Sequence, residues 1–377
     1  LCSVDFSIAS RRNEVRFVVA KRLTARGAGL GNEMLPWSKG WIASQVLDAR
    51  LVGPAWGINP RKYYRNFQTS RWDVLLEEIL KRLPHYAFTE RDYLETCEID
   101  FGKAIEKWAQ QIGILSRRSF IVTVDGMYGG YSCIRNARSF LLSRLLSSRD
   151  ALRNLYEINA RLDRNKLFVA VHMRAGDFAV LSPGESAQGK WNIRIPDEWY
   201  LNACQAIQSE WRDNVQFHFF TDRGGPAFEE AVRRFNPGQI RQGNLTECSD
   251  LLLMSQADLC LCSISSYSYI AVFLSGALYL CYEPQLQHEN GLYKLFDTDE
   301  VKQQENAPSR QSMDMMKAIA PGSPWEAAFK GYAMGTETVL PSGMVKQLNH
   351  RLLANDRSAS LVEGGGVPDW TLGSGPS

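Results

Sequence analysis

Histidine, arginine and aspartate fall within six residues where an apolar run ends, in "VAVHMRAGDF" from Val169 to Phe178. An arginine presents a planar fork of donors that matches a phosphate, and its charge does not titrate away. Asp177 can hold that fork in place, and His172 can donate or accept through its ring nitrogens. A plain Arg/Asp ion pair capping a loop, beside a satisfied core histidine, has the same spacing. Position in the fold must separate the two readings.

A second constellation runs from Ser249 to Gly276, "SDLLLMSQADLCLCSISSYSYIAVFLSG". Ser265 and Ser266 follow a strand pattern and open a helical one, which brings hydroxyls and free backbone N–H groups to one spot suited to an anion. An ordinary serine N-cap reads identically. Asp250 opens the preceding helix, where a carboxylate often only caps; a carboxylate accepting two N–H bonds is also the group that selects guanine, whose edge offers adjacent donors. The third is "RGAGLGNEM", Arg26 to Met34, preceded by a strand pattern and followed by Asp48 at about the distance of a dinucleotide fingerprint. A GxGxxG frame from Gly27 needs glycine where Asn32 stands, and no GK[ST] is present, so the fingerprint fails. What remains is a glycine loop that brings backbone close to a neighbour, with Asn32 and Glu33 at a helix start. Glu33 reads either as a general base facing the second half or as an acid placed by the helix dipole.

Three further patterns carry less. "FDTDE" has the D-x-D spacing, Asp297 to Asp299, that can hold a metal on a diphosphate, but no apolar strand leads into it, and no metal is expected. Cys260 and Cys262 face one side of a strand without a second ligand pair, which sets zinc aside. "NLT" at Asn244 matters only in a secreted protein.

These residues need a scaffold, and the second half supplies the clearer one. Strands at "LFVAVHM", "VQFHFFTD", "DLCLCS" and "LYLCYE" alternate with helices at "DEWYLNACQAIQSEWR", "AFEEAVRRF", "DLLLMSQA" and "SSYSYIAVFLSG". This predicts right-handed crossovers and a parallel, Rossmann-like sheet, with ligands beyond the carboxyl ends of its strands. His172, Arg174 and Asp177 fall at such an end. The first half opens with a strand at "VRFVVAKR", a helix from Glu33 to Val46 and a strand at "ARLVGPAW". It continues with helices at "WDVLLEEILKRL" and "FGKAIEKWAQQIG", a strand at "FIVTVDG" and helix from about Asn136 to Leu162. The expected division is an α/β domain over 1–163, a Rossmann-like domain over 164–300, and a helical segment over 301–360, through "WEAAFKGYAM" and "GMVKQLNHRLL", packing back on the first domain. Residues 361–377 form a flexible Gly/Ser/Pro-rich tail.

The chain of 377 residues is long enough for two domains. Hydrophobic content of 45% and charged content of 22% are those of a globular protein. A net charge of +2 without a basic block argues against a nucleic-acid partner. The longest apolar stretch, Tyr269 to Tyr282, is shorter than the roughly 18 to 20 residues that span a bilayer, and reads as helix, turn and strand. Eight cysteines without a CxxC pair, several inside apolar runs, suggest a reducing compartment. The expected location is the cytoplasm or the cytoplasmic face of a membrane; because the chain starts at Leu1, an upstream signal or anchor stays open.

Taken in order, the constellations resemble the fucosyltransferase superfamily that includes α1,2-, α1,6- and protein O-fucosyltransferases. "GLGNEM" is similar to its N-terminal GxGNQ loop, "HMRAGD" to its H-x-R-R-x-D/G-D motif, and "FFTD" to the motif ending the next strand. "SDLLLMSQADLCLCSISSYS" is similar to its donor-site segment. The resemblance runs from Val15 to Pro284, with Gly57 to Asp163 unplaced. It implies a GT-B-like α/β fold, two Rossmann-like domains with a GDP-sugar in the cleft between them, and inverting transfer to a glycan or other hydroxyl acceptor without metal or cofactor. By motif position, Arg174 would bind the β-phosphate of GDP-fucose, with His172 and Asp250 on guanine and Ser265 and Ser266 on phosphate. Asp222 and Tyr267 join the donor side, Gly31 and Asn32 lie near the sugar or acceptor, and Arg174, Glu33 and Asp177 form the catalytic set. Ala175 stands where the family often has a second arginine, and Glu33 where it has glutamine. The rival from another class is a non-catalytic nucleotide-sugar or glycan-binding protein on the same fold.

Overall fold

In the computed structural model, residues 15–21, 29–53, 63, 67, 71–188, 190, 192–239, 247–275, 277–289, 292–294 and 330–354 are described. In the first half, β1 (Arg16–Ala20), β2 (Arg50–Val52), β3 (Tyr86–Phe88) and β4 (Phe120–Val124) form one sheet in the order β2-β1-β4-β3, every pair parallel. Around it lie α1 (Leu30–Val46), α2 (Arg71–Leu80), α3 (Glu90–Thr96), α4 (Phe101–Gln111), α5 (Arg138–Leu146) and α6 (Arg149–Asn159). The predicted strands and helices of this half are present; β3 and α3 were not foreseen. Three residues are too few to show a period, although the Thr89 capping box that opens α3, with Asp92 as its partner, is a local signal.

The second sheet contains β5 (Leu167–Met173), β6 (Val215–Thr221), β7 (Leu259–Leu261), β8 (Leu278–Tyr282) and, after the two-stranded hairpin β9 (Gln287–Glu289) and β10 (Leu292–Lys294), β11 (Lys330–Met334). Its order is β11-β8-β7-β5-β6, again all parallel. The helices are α7 (Asp197–Trp211), α8 (Pro226–Phe235), α9 (Glu247–Met254), α10 (Ser266–Ser275) and α11 (Ser342–Ala354). Every residue of β5 is buried, as expected of a parallel strand covered on both faces. Phe168 and Ala170 enter one core, Val169, Val171 and Met173 the other. His172, two residues beyond Ala170, shares the first face.

The chain from β5 continues to β6 at one edge, and from β7 to β8 and β11 at the other. The crossovers therefore diverge between β5 and β7, the kind of switch point where α/β sheets bind ligands.

The expected helical segment over 301–360 needs correction. Lys330–Met334 is a strand paired with β8, and α11 packs on the second sheet, where Met344 and Leu348 join its core. Trp211 Nε1 donates to Asn349 Oδ1 at 2.7 Å, and Arg351 donates to the Asp258 carbonyl at 3.0 Å. The reason is pairing: β8 offers an open edge, and Tyr332 and Met334 alternate into the core beneath it. Residues 301–329 and 355–377 lie outside the described residues.

The boundary at residue 163 separates two sheets but not two cores. One apolar cluster contains Val18, Met34 and Val122 from the first half together with Leu251, Ile270 and Phe273 from α9 and α10. At its centre runs α1, buried around almost its whole circumference. Arg138 Nε donates to the Leu274 carbonyl across the junction at 2.8 Å. Among the described residues no helix is long and apolar enough to cross a membrane.

Candidate functional site

The loop after β5 is held by the end of β6. Asp222 Oδ1 accepts from the backbone N–H groups of Ala175 and Gly176 at 2.9 and 3.0 Å, and Asp222 Oδ2 lies 3.2 Å from Arg174 Nε. A Cβ at Gly176 would sit 2.3 Å from Asp222 Oδ2, so glycine is what lets the backbone reach the carboxylate. Burial pushes the Asp222 carboxyl up, but the two N–H groups and the Arg174 charge outweigh it and hold the group below its usual range. Asp177 completes the clamp, accepting at one oxygen from Arg174 Nε at 3.1 Å and Nη2 at 2.7 Å. The guanidinium, 15% exposed, is thus fixed along its Nε/Nη2 edge, leaving Nη1 directed away from both carboxylates.

His172 is 2% exposed. Its Nδ1 meets the hydroxyls of Ser268 at 2.6 Å and Ser263 at 2.9 Å. Burial first and the Arg174 charge second push its pKa down to about 3, so the ring is neutral at physiological pH. Ser263, Ser265 and Ser268 lie 3.2 Å from one another. Ser265 also caps α10, accepting from the Ser268 N–H at 3.3 Å. The cap reading of Ser265 is therefore present in full, and its hydroxyl is spent inside the protein rather than aimed outward. Tyr267 places its ring 5.3 Å from that of His172 and donates to the Glu247 carbonyl at 2.6 Å. Burial, then the nearby charge of Asp250, raises the Tyr267 pKa well above its ordinary value; Asp250 is half-buried in the first turn of α9.

The first half reaches this place from two directions. Gly31, in the first turn of α1, is so close to α10 that an added Cβ would lie 2.5 Å from the Ser266 carbonyl carbon and 2.7 Å from the Tyr267 nitrogen. Tyr131, just beyond β4, donates to the Ser266 carbonyl at 2.8 Å. The start of α1, which follows β1, and Tyr131, which follows β4, thus both meet the first turn of α10.

The sequence-derived residues sort accordingly. His172, Arg174, Asp177, Asp222, Asp250, Ser265, Ser266 and Tyr267 are brought together, and Gly31 joins them through its backbone. Asn32 follows it, half-buried in the same turn of α1. Glu33 is 1% exposed and, two residues beyond Gly31, lies about 200° around α1 from the face on α10. Asp297, Asp299 and Asn244 lie outside the described residues. Cys260 and Cys262 are buried together in the shared core, with burial raising the Cys260 thiol to about 12. Ser263, Ser268 and Tyr131 went unnoticed in the sequence; the serine three residues after the Ser265 cap was the available signal for one of them.

What the fold and these loops define is an α/β protein of two parallel sheets with a charged, hydroxyl-lined locus at the switch point of the second. Comparison with protein-family models and with curated proteins returns no match.

Proposed function

We propose that the protein binds the diphosphate of a guanine nucleotide sugar against Arg174 and the first turn of α10, and transfers the sugar, most simply fucose, to a hydroxyl of a glycan or other acceptor. The observation that carries this reading is the Arg174 clamp: two carboxylates fix one edge of the guanidinium beyond β5, next to a helix N-terminus and a neutral histidine. The finer description of the fold, two Rossmann-like domains arranged as in GT-B enzymes with the donor between them, belongs to the same proposal. It is supported by the approach of Gly31 and Tyr131, from the first half, to Ser266 of the second.

Breaking the bond between sugar and diphosphate builds negative charge on the β-phosphate while the sugar becomes oxocarbenium-like. A preorganised arginine and helix N–H groups stabilise that charge without reorganising, the role a metal fills elsewhere. A base on the opposite face takes the acceptor's proton, giving inversion; the burial of Glu33 leaves that base unassigned. That burial also favours a second reading, a nucleotide-sugar or glycan-binding protein without transfer, and donor hydrolysis by the purified protein separates the two.

The test is calorimetry with GDP on wild type and Arg174→Ala. A charge-assisted hydrogen bond is worth roughly 1.5–3 kcal/mol, so the variant's affinity should fall by about 10- to 150-fold, and transfer should vanish. Equal GDP binding by the two proteins overturns the assignment. Transfer is expected to survive EDTA; loss on chelation with recovery in manganese would instead revive the Asp297/Asp299 pattern.

A further inference from the structure

The segment joining β4 to Tyr131 is "DGMYGG", Asp125 to Gly130, and its three glycines, Gly126, Gly129 and Gly130, all adopt positive φ, +72°, +71° and +54°. Glycine gives up more conformational freedom on folding than any other residue, so such a loop keeps one shape only if it is tied down. One tie comes from the middle of α1. The Lys39 Nζ donates to the Gly126 carbonyl at 3.1 Å and the Asp125 carbonyl at 3.5 Å, and lies 3.1 Å from the centre of the Tyr128 ring. The Phe101 ring of α4 is 5.6 Å away. Beyond the loop, Tyr131 donates to the Ser266 carbonyl and packs its ring 5.5 Å from Phe273. Gly31 brings the start of α1 to that same Ser266. The contacts close a circuit: α1 through Lys39 to the loop, through Tyr131 to Ser266, and back through Gly31 to α1.

We propose that Lys39 is a positioning residue for the first turn of α10, holding the Asp125–Gly130 loop so that Tyr131 fixes Ser266 beside Arg174. The consequence for ligand binding rests on the nucleotide site proposed above. A lysine is a costly tie. Lys39 is fully buried, and desolvation pushes its pKa down to about 8 against the opposing influence of Cys133, Asp125 and Glu90. A methionine of similar length would remove that cost but also the donor to the Gly126 and Asp125 carbonyls, so relieved desolvation and the lost tie oppose each other in stability.

The experiment compares the full-length wild type with Lys39→Met, Lys39→Gln and Tyr131→Phe by thermal denaturation, amide hydrogen exchange over residues 266–269 without ligand, and GDP calorimetry. In Lys39→Met exchange at 266–269 should quicken, and GDP affinity weaken, by about tenfold each, with little change in melting temperature because relieved desolvation offsets the lost donor. Tyr131→Phe should act in the same direction, and the double variant should be no worse than the worse single, because both cut one circuit. Lys39→Gln, which keeps a donor for the Gly126 carbonyl, should fall between wild type and methionine; if Lys39→Met does not fold, the glutamine variant is read by the same measurements. A Lys39 variant with a lowered melting temperature but unchanged exchange and affinity makes the lysine merely structural and overturns the proposal, as do multiplying effects in the double variant. If the wild type binds no GDP, the nucleotide reading fails, while the exchange measurements still decide for or against Lys39.

Discussion

At the end of β5 and beyond β5 and β6 the chain places His172, Arg174, Asp177 and Asp222, whereas beyond β1 and β4 it places Gly31, Gly126, Gly129 and Gly130 with Tyr128 and Tyr131. The second sheet's end is wired by charge: a guanidinium between two carboxylates, a carboxylate on two N–H groups, an imidazole on two hydroxyls. The first sheet's end is shaped by backbone, with glycines at positive φ and a helix that starts in van der Waals contact with another. Its buried lysine, Lys39, bonds to carbonyls and faces rings. The contrast implies different sensitivities. The second locus should respond to protonation and charge, the first to the addition of a single carbon atom.

Acid should break the second locus first, and by the largest margin. Burial lowers the pKa of His172 to about 3 and of His218, on the same face of the sheet, to about 4, against an ordinary value of 6.5. Below about pH 6.5 the unfolded chain takes up protons that the folded chain refuses, so stability is full above that pH and falls as pH drops toward 4. Each histidine contributes a slope of about 1.4 kcal/mol per pH unit within that window. Asp222, held below its ordinary 3.8, adds to the loss only at still lower pH. Urea denaturation at pH 7, 6 and 5 should show the decline, and His218→Phe should make it shallower. A decline of unchanged slope in that variant would place its origin elsewhere in the molecule.

Gly31→Ala should break the first locus. The new Cβ would meet the Ser266 carbonyl carbon at 2.5 Å and its oxygen at 2.6 Å, and backbone cannot swing aside as a side-chain tip can. Overpacking of this kind costs about 1–3 kcal/mol, and it must overcome the gain of about 1 kcal/mol that alanine brings to a helix over glycine. A lowered denaturation midpoint at pH 7 is therefore the expected result. An alanine variant as stable as wild type would mean that α1 and α10 do not abut.

How far the sequence discloses each locus follows from the same physics. The period-two alternation that puts Phe168 and Ala170 in one core and Val169 and Val171 in the other extends to His172, so the strand end and its charges are visible locally. So are the Ser265 cap and the glycine before Asp177. The first locus depends on contacts between residues far apart in the chain: residue 31 with 266, 131 with 266, and 39 with 126. No periodicity reports such meetings. Lys39 had a faint signal as the lone cation in an otherwise apolar and small-residue stretch of α1, "LPWSKGWIAS", and "DGMYGG" had another in its glycine density after a strand. The strand at Lys330–Met334 was hidden because alanine, lysine and methionine suit a helix equally well, and only the open edge of β8 decides.

The smallest expected effect tests whether the two carboxylates on Arg174 are equivalent. Asp177 has a 55% exposed side chain and accepts from the arginine fork, whereas Asp222 is 21% exposed and also carries the loop's N–H groups. Exposed pairs are worth about 0–1 kcal/mol because water screens them and ordering two side chains costs entropy. Asp177→Asn should accordingly shift stability by less than about 1 kcal/mol and leave GDP affinity within about threefold of wild type, since Asp222 still fixes the Nε edge. Denaturation and calorimetry on the one variant suffice. If Asp177→Asn instead loses GDP binding or transfer as completely as Arg174→Ala, Asp177 touches the substrate itself. The charge at the end of the second sheet would then be chemistry and not only a clamp.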